Sequence, residues 1–239
     1  MCERHLSSPA RRNLLLAGAS SITLAGLSRR DARAAQPAVG NAPNSIPPAQ
    51  ALDRLMQGNA RYAANTSSNK DYSAGRAARV SAQYPIAAIV GCADSRVAPE
   101  LAFDQGPGDL FVVRVAGNFV NDDILASLEY GVEFLGVPLI MVLGHTQCGA
   151  VGAAVKVLQE GARLPGHLPE LVRAIRPAVR IAQAEHGADL VAQATIENVR
   201  LNTNRLTVSK PLIGPYVKSG RVKVVGGIYD LATGRIALV

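Results

Sequence analysis

Tryptophan is absent from this 239-residue chain, and phenylalanine and tyrosine together supply an aromatic content of only 4%. A core with so few rings has to be built from Val, Ile, Leu and Ala. Cysteine is scarce as well: Cys2, Cys92 and Cys148 are the 3 present, which excludes a disulfide-dense scaffold. No stretch of about 20 apolar residues is present to form a membrane-spanning helix. What remains is 48% hydrophobic and 18% charged, the balance of a globular protein with length for one good core. The net charge of +7 is unevenly spread, because Arg4, Arg11, Arg12, Arg29, Arg30 and Arg33 crowd the first 34 residues against only Glu3 and Asp31. The rest of the chain shows no clustered basic stripe, which argues against a nucleic-acid partner.

That arginine-rich start reads as an address. Arg11 and Arg12 precede a short apolar run over residues 14–27, and Ala32-Arg33-Ala34 gives a small-x-small cleavage pattern. A charged start, an apolar middle and a small-residue end are the three parts of an export signal. The paired arginines resemble the Tat type, although the usual Phe and Lys further on are missing. The expectation is therefore a Tat-like signal over residues 1–34, a Pro/Ala/Asn-rich linker or arm over 35–49, and a catalytic domain over 50–239. Export would place the mature protein in the periplasm or outside the cell, and a disordered tail on a cytoplasmic protein is the alternative. Removal of the signal would leave Cys92 and Cys148 as the only thiols.

Beyond the linker, apolar spacing predicts a helix over 48–64. Continuous apolar runs at 86–91, 110–115 and 139–144 read as strands buried on both faces. Helical patterns fall at 122–135, from 149 through 158, at 169–185, at 189–207 and at 212–218. A fourth strand is expected over 222–230, followed by a Thr233-Gly234 turn and a last strand. Strands alternating with helices give an α/β fold: a mainly parallel central sheet of about four parallel strands plus an antiparallel edge strand, flanked by helices.

In such sheets, sites form beyond the carboxyl ends of the strands. Cys92-Ala93-Asp94-Ser95-Arg96 begins one residue past the first strand, and His145-Thr146-Gln147-Cys148 one residue past the third. Two thiolates and an imidazole are good zinc ligands, and three protein ligands with one open position make a catalytic zinc site. Cys148 near a helix start is further favoured as thiolate. The alternatives are a disulfide between Cys92 and Cys148, or two inert thiols beside a hydrogen-bonded histidine. Asp94 and Arg96 flank the first cysteine, and a carboxylate–guanidinium fork would keep Asp94 ionised.

With these residues in hand, the chain resembles the β-class carbonic anhydrases. The matching motifs are C-x-D-x-R at Cys92, Asp94 and Arg96 and H-x-x-C-G from His145 to Gly149, supported by residues 108–114 and by Ala116-Gly117-Asn118. The resemblance covers roughly residues 50–230. It implies one Zn²⁺ per subunit, reversible hydration of carbon dioxide to bicarbonate and a proton by a zinc-bound hydroxide, and a homodimer or higher homo-oligomer. It assigns Cys92, His145 and Cys148 to the metal and Asp94 with Arg96 to catalysis. It also implies a substrate pocket with Gln83, Phe111 and Tyr130, with Val97 and Ala116 nearby. In some relatives the aspartate binds zinc as a fourth ligand and closes the site; there a tryptophan commonly stands where this chain has Ile89, so an open site is expected here. A carbonyl sulfide or carbon disulfide hydrolase on the same framework, or a non-catalytic zinc-binding protein, are the competing readings. His167 and His186 lie in polar stretches and are expected to be solvated.

Overall fold

A computed structural model describes residues 42–68, 70–73 and 75–239. The expected export signal and the first part of the expected linker, residues 35–41, lie outside the described residues. The elements run α1 (Pro48–Ala63), α2 (Arg76–Ser81), β1 (Ala87–Gly91), α3 (Pro99–Ala102), β2 (Leu110–Arg114), α4 (Asp122–Phe134), β3 (Leu139–His145), α5 (Gly149–Glu160), α6 (Leu168–Ala184), α7 (Leu190–Thr207), α8 (Ile213–Lys218), β4 (Lys223–Tyr229) and β5 (Ile236–Leu238). Short α2 and α3 are the elements that the apolar spacing does not predict.

The five strands form one sheet in the order β2-β1-β3-β4-β5. The β1–β2, β1–β3 and β3–β4 pairs are parallel, and β4–β5 is antiparallel. The expected α/β architecture, four parallel strands with an antiparallel edge, is therefore the one observed. Every residue of β1 and β3 is buried, as central parallel strands covered by helices on both faces require. Alternation along them separates two apolar layers. Ala87, Ile89, Leu139, Met141 and Leu143 pack with Ala51 and Leu55 of α1 on one face. Ala88, Val90, Ile140 and Val142 pack with Leu128 of α4 and Val199 and Leu206 of α7 on the other.

The helix boundaries follow local chemistry. Asn121 caps α4 by accepting from the Ile124 N–H at 3.0 Å, and Asp122 and Asp123 occupy its first turn, where negative charge is favoured. Asp189 caps α7 in the same way through Ala192 N–H at 2.9 Å. Close approach of α7 to β3 depends on Gly144, since a Cβ there would lie 2.7 Å from Val199 Cγ2. Among the described residues no helix is long and apolar enough to cross a membrane.

The strand order makes β1 and β3 neighbours while their onward connections leave for opposite sides. This is a topological switch point, and a crevice opens there at the carboxyl ends. Cys92 follows β1 directly and His145 is the last residue of β3, so the fold delivers both motifs to one place.

Candidate metal centre

Three donor groups meet at the switch point. The ligand atoms of Cys92, His145 and Cys148 all lie within 4.8 Å of one another, and all three residues are buried. The two sulfurs are 3.9 Å apart, nearly double the ~2.05 Å of a disulfide bond, and both cysteines are free. This removes the disulfide alternative for the described fold.

Each donor is aimed by its surroundings. His145 Nδ1 lies 2.9 Å from the Thr146 carbonyl, so it donates there as Nδ1–H and leaves the lone pair on Nε2. That Nε2 is buried without a hydrogen-bond partner. Thr146 is itself held by donating its N–H to the Tyr229 carbonyl and by accepting the Leu231 N–H at Oγ1. Gln147 adopts a left-handed φ of 54°, and this turn brings Cys148 back over the strand end as the N-cap of α5. Cys92 Sγ accepts the Gly117 N–H at 3.2 Å. Arg114 extends back from the end of β2 and donates to the carbonyls of Cys92, Asp94 and Val97 at 2.9, 2.8 and 2.8 Å. The loop carrying the first motif is thus fixed by one guanidinium.

The electrostatics of the pair of sulfurs point the same way. The Cys148 side chain beside it, together with His145 and the Gly117 N–H, drives the Cys92 thiol far below its ordinary pKa, against the cost of burial. Cys148 is pushed up by the neighbouring Cys92 sulfur and by burial. Two buried sulfurs that close together do not carry two negative charges unaided. A soft divalent cation resolves that conflict, and an orphaned imidazole nitrogen beside them completes a three-donor S₂N set. The residues present therefore fit zinc.

Asp94 sits at the rim. Arg96 grips it bidentately, Nε to Oδ1 at 2.9 Å and Nη2 to Oδ2 at 2.7 Å, and adds its own backbone N–H to Oδ1 at 3.0 Å. These bonds from Arg96 hold the Asp94 carboxyl well below the usual carboxylate range. Its Oδ2 is 3.8 Å from His145 Nε2, so the carboxylate faces the space between the donors while remaining committed to the guanidinium.

The other residues singled out in the sequence divide. Val97 is buried next to the motif loop, and Ala116 is half-buried in the turn after β2. Gln83, Phe111 and Tyr130 are not brought to the cluster within one chain. Gln83 is exposed in the segment preceding β1, at the opposite end of that strand from Cys92. Phe111 pairs with Ala88 near the start of β2, and its ring lies 6.4 Å from that of Tyr130, which is in turn 5.4 Å from Phe134. Tyr130 is 46% exposed. His167 and His186 are both exposed, as expected for solvated residues. The Gly117 N–H and the bracing by Arg114 are the site features that sequence reasoning misses. A backbone donor has no side-chain signature, and Arg114 shows itself only as one residue of a matching motif.

Comparison with known proteins agrees with this geometry. The family model described as carbonic anhydrase matches residues 87–236. A carbonic anhydrase of Mycolicibacterium smegmatis is 39% identical over 197 residues, covering 82% of this chain and 95% of that protein. Carbonic anhydrase 2 of Mycobacterium tuberculosis is 40% identical over 200 residues, covering 82% and 94%. Among solved structures, the β-carbonic anhydrase CcaA superposes with a TM-score of 0.60 at 28% identity, covering 79% of this chain and 87% of that one. A Coccomyxa β-carbonic anhydrase in complex with acetazolamide gives 0.62 at 27% identity, covering 79% and 86%. The chain belongs to the β-class carbonic anhydrases, a family of carbonate dehydratases.

Proposed function

We propose that this chain catalyses the reversible hydration of carbon dioxide to bicarbonate and a proton, with one Zn²⁺ per subunit held by Cys92, His145 and Cys148. The observation that carries this reading is the convergence of three buried donor atoms within 4.8 Å beside a carboxylate that a guanidinium keeps ionised. When bound there, zinc supplies the Lewis acidity that brings the pKa of a water down to about 7. The chain supplies the rest. Asp94 accepts a hydrogen from the reacting water and so aims an oxygen lone pair at the carbon. Arg96 keeps Asp94 a carboxylate and occupies both its oxygens, which favours an open site over one closed by Asp94 as a fourth ligand. A purely structural zinc site has no use for this Asp–Arg fork.

The placement of Gln83, Phe111 and Tyr130 bears on assembly. Phe111 belongs to β2, whose outer edge no described strand covers, the Tyr130 ring of α4 lies 6.4 Å from it, and Gln83 is exposed ahead of the neighbouring β1. A second copy of the chain docked along that edge would bring them within reach of a metal centre, giving a homodimer or a multiple of it.

Stopped-flow measurement of carbon dioxide hydration tests the reading, with carbonyl sulfide and carbon disulfide offered in parallel. The expected outcome is hydration activity that tracks zinc content and is lost in Cys148→Ser together with the metal. Full activity after removal of zinc would refute it.

A further inference from the structure

The turn that leaves β2 is squeezed from three sides. Gly117 has a φ of +85°, and a Cβ on it would lie 2.6 Å from Ile175 Cδ1 of α6 and 3.3 Å from Ala150 Cβ of α5. Only glycine fits such a position, in conformation and in space. The third side is α7. Asn198, 1% exposed, donates from Nδ2 to the Gly117 carbonyl at 2.8 Å. One helical turn further on, Asn202 donates to the Asn198 carbonyl at 2.8 Å and accepts the Val120 N–H at 2.8 Å. Two buried asparagines of one helix thus hold residues 117 and 120 of the turn. The outward result is the Gly117 N–H aimed at Cys92 Sγ from 3.2 Å.

We infer that Asn198 is a positioning residue for the metal centre: from α7 it fixes the Gly117 backbone whose N–H donates to the Cys92 sulfur, and it thereby sets how tightly and how strongly that sulfur binds a metal. The inference rests on the zinc reading above. A hydrogen bond to a ligating sulfur draws electron density from it and holds it in orientation, and partners outside the ligand set commonly govern metal affinity. Asn198 touches neither the ligands nor the reacting atoms, so it acts only through Gly117. A buried amide is also costly to keep unless it is fully used. Here the Asn198 amide nitrogen is used on a residue whose own N–H reaches the Cys92 sulfur.

The test compares two variants of α7 in the full chain. Asn198→Leu removes the donor to Gly117. Val199→Ala, next to it and fully buried, loosens the same helix without touching the turn. Cobalt(II) serves as the probe, because its thiolate charge-transfer band reports sulfur donation and its titration against a chelator gives affinity without any activity assay. Asn198→Leu is expected to weaken cobalt and zinc binding about 10- to 100-fold and to shift the charge-transfer band. Val199→Ala is expected to lower thermal stability while leaving both readouts as in the wild type. Should Leu not be accommodated, Asn198→Ala removes the same donor and is read against the same two outcomes. Unchanged affinity and an unshifted band in a folded Asn198 variant would overturn the inference alone, as would equal losses in Val199→Ala. A wild-type protein that bound no cobalt would overturn the zinc reading itself.

Discussion

The two ends of the β1–β3 strand pair are built to different rules. At the carboxyl ends, Cys92, His145 and Cys148 are all buried and all come from one chain, with each donor oriented by a neighbour of its own. At the amino ends, Gln83 is exposed, Tyr130 is 46% exposed, and Phe111 is half-buried beside the Tyr130 ring. The three donors of the first region come from within one chain, and the second region leaves Gln83 and Tyr130 open to solvent. Chemistry that needs ångström-level placement is assigned to the switch point, where two strand ends and a helix start fix the atoms. In the proposed reading, the walls for a small apolar substrate are supplied by a second copy.

The sharpest break between the two ends should come from Asp94→Ala. It removes the acceptor that aims the reacting water but none of the three donors, so kcat/KM is expected to fall by about 10²–10⁴, the range for a positioned proton acceptor. Zinc content by elemental analysis should stay at one per chain. A loss below tenfold would mean that the carboxylate merely braces the loop. Tyr130→Ala probes the other end and should act more weakly, lowering kcat/KM by about tenfold, as for one interface ring. It should also move the monomer–oligomer equilibrium in sedimentation velocity while zinc stays bound. An unchanged oligomer with unchanged kinetics would detach Tyr130 from both pocket and interface.

How much of this was legible in the sequence depended on whether the signal was local. β1 and β3 announce themselves as unbroken apolar runs, because strands buried on both faces leave no position free to be polar. Cys92, His145 and Cys148 were legible because all three gather at strand ends, Cys92 directly after β1, His145 as the last residue of β3 and Cys148 three residues on, so the fold class alone predicts where they meet. Short α2 and α3 escaped because six and four residues hold less than two turns of pattern, and Val80 in α2 is 84% exposed. The bond from Asn198 to Gly117 spans 81 positions, and its acceptor is a backbone carbonyl. Nothing in the residues around either position announces it. The residues proposed for the pocket fall between these cases, since a family resemblance can name Gln83, Phe111 and Tyr130 without saying which copy of the chain they would serve.

The smallest effect on activity, and a purely structural one, is expected at Asp104. This residue ties the segment that runs from α1 toward Gln83 back onto the body of the fold. It is 5% exposed; its Oδ2 accepts Arg61 Nε at 2.6 Å and Ser68 Oγ at 3.0 Å. The Ser68 N–H and the Lys70 ammonium also engage it. Burial alone would push this carboxyl up, but Arg61, Ser68 and Lys70 outweigh it and hold the pKa at about 2. A carboxyl depressed in the fold relative to about 3.9 in the unfolded chain contributes stability that is complete above the unfolded value and is lost as pH falls toward the folded one. Asp104→Asn should therefore cost about 2 kcal/mol at pH 7, read by urea denaturation, and the gap to the wild type should narrow between about pH 4 and pH 2. Carbon dioxide hydration at pH 7 should be unaltered, because Asp104 belongs to neither the metal centre nor the proposed pocket. A variant that kept its stability but lost activity would show that the Asp104 clamp, and with it the path from α1 to the amino end of β1, serves the site rather than the fold.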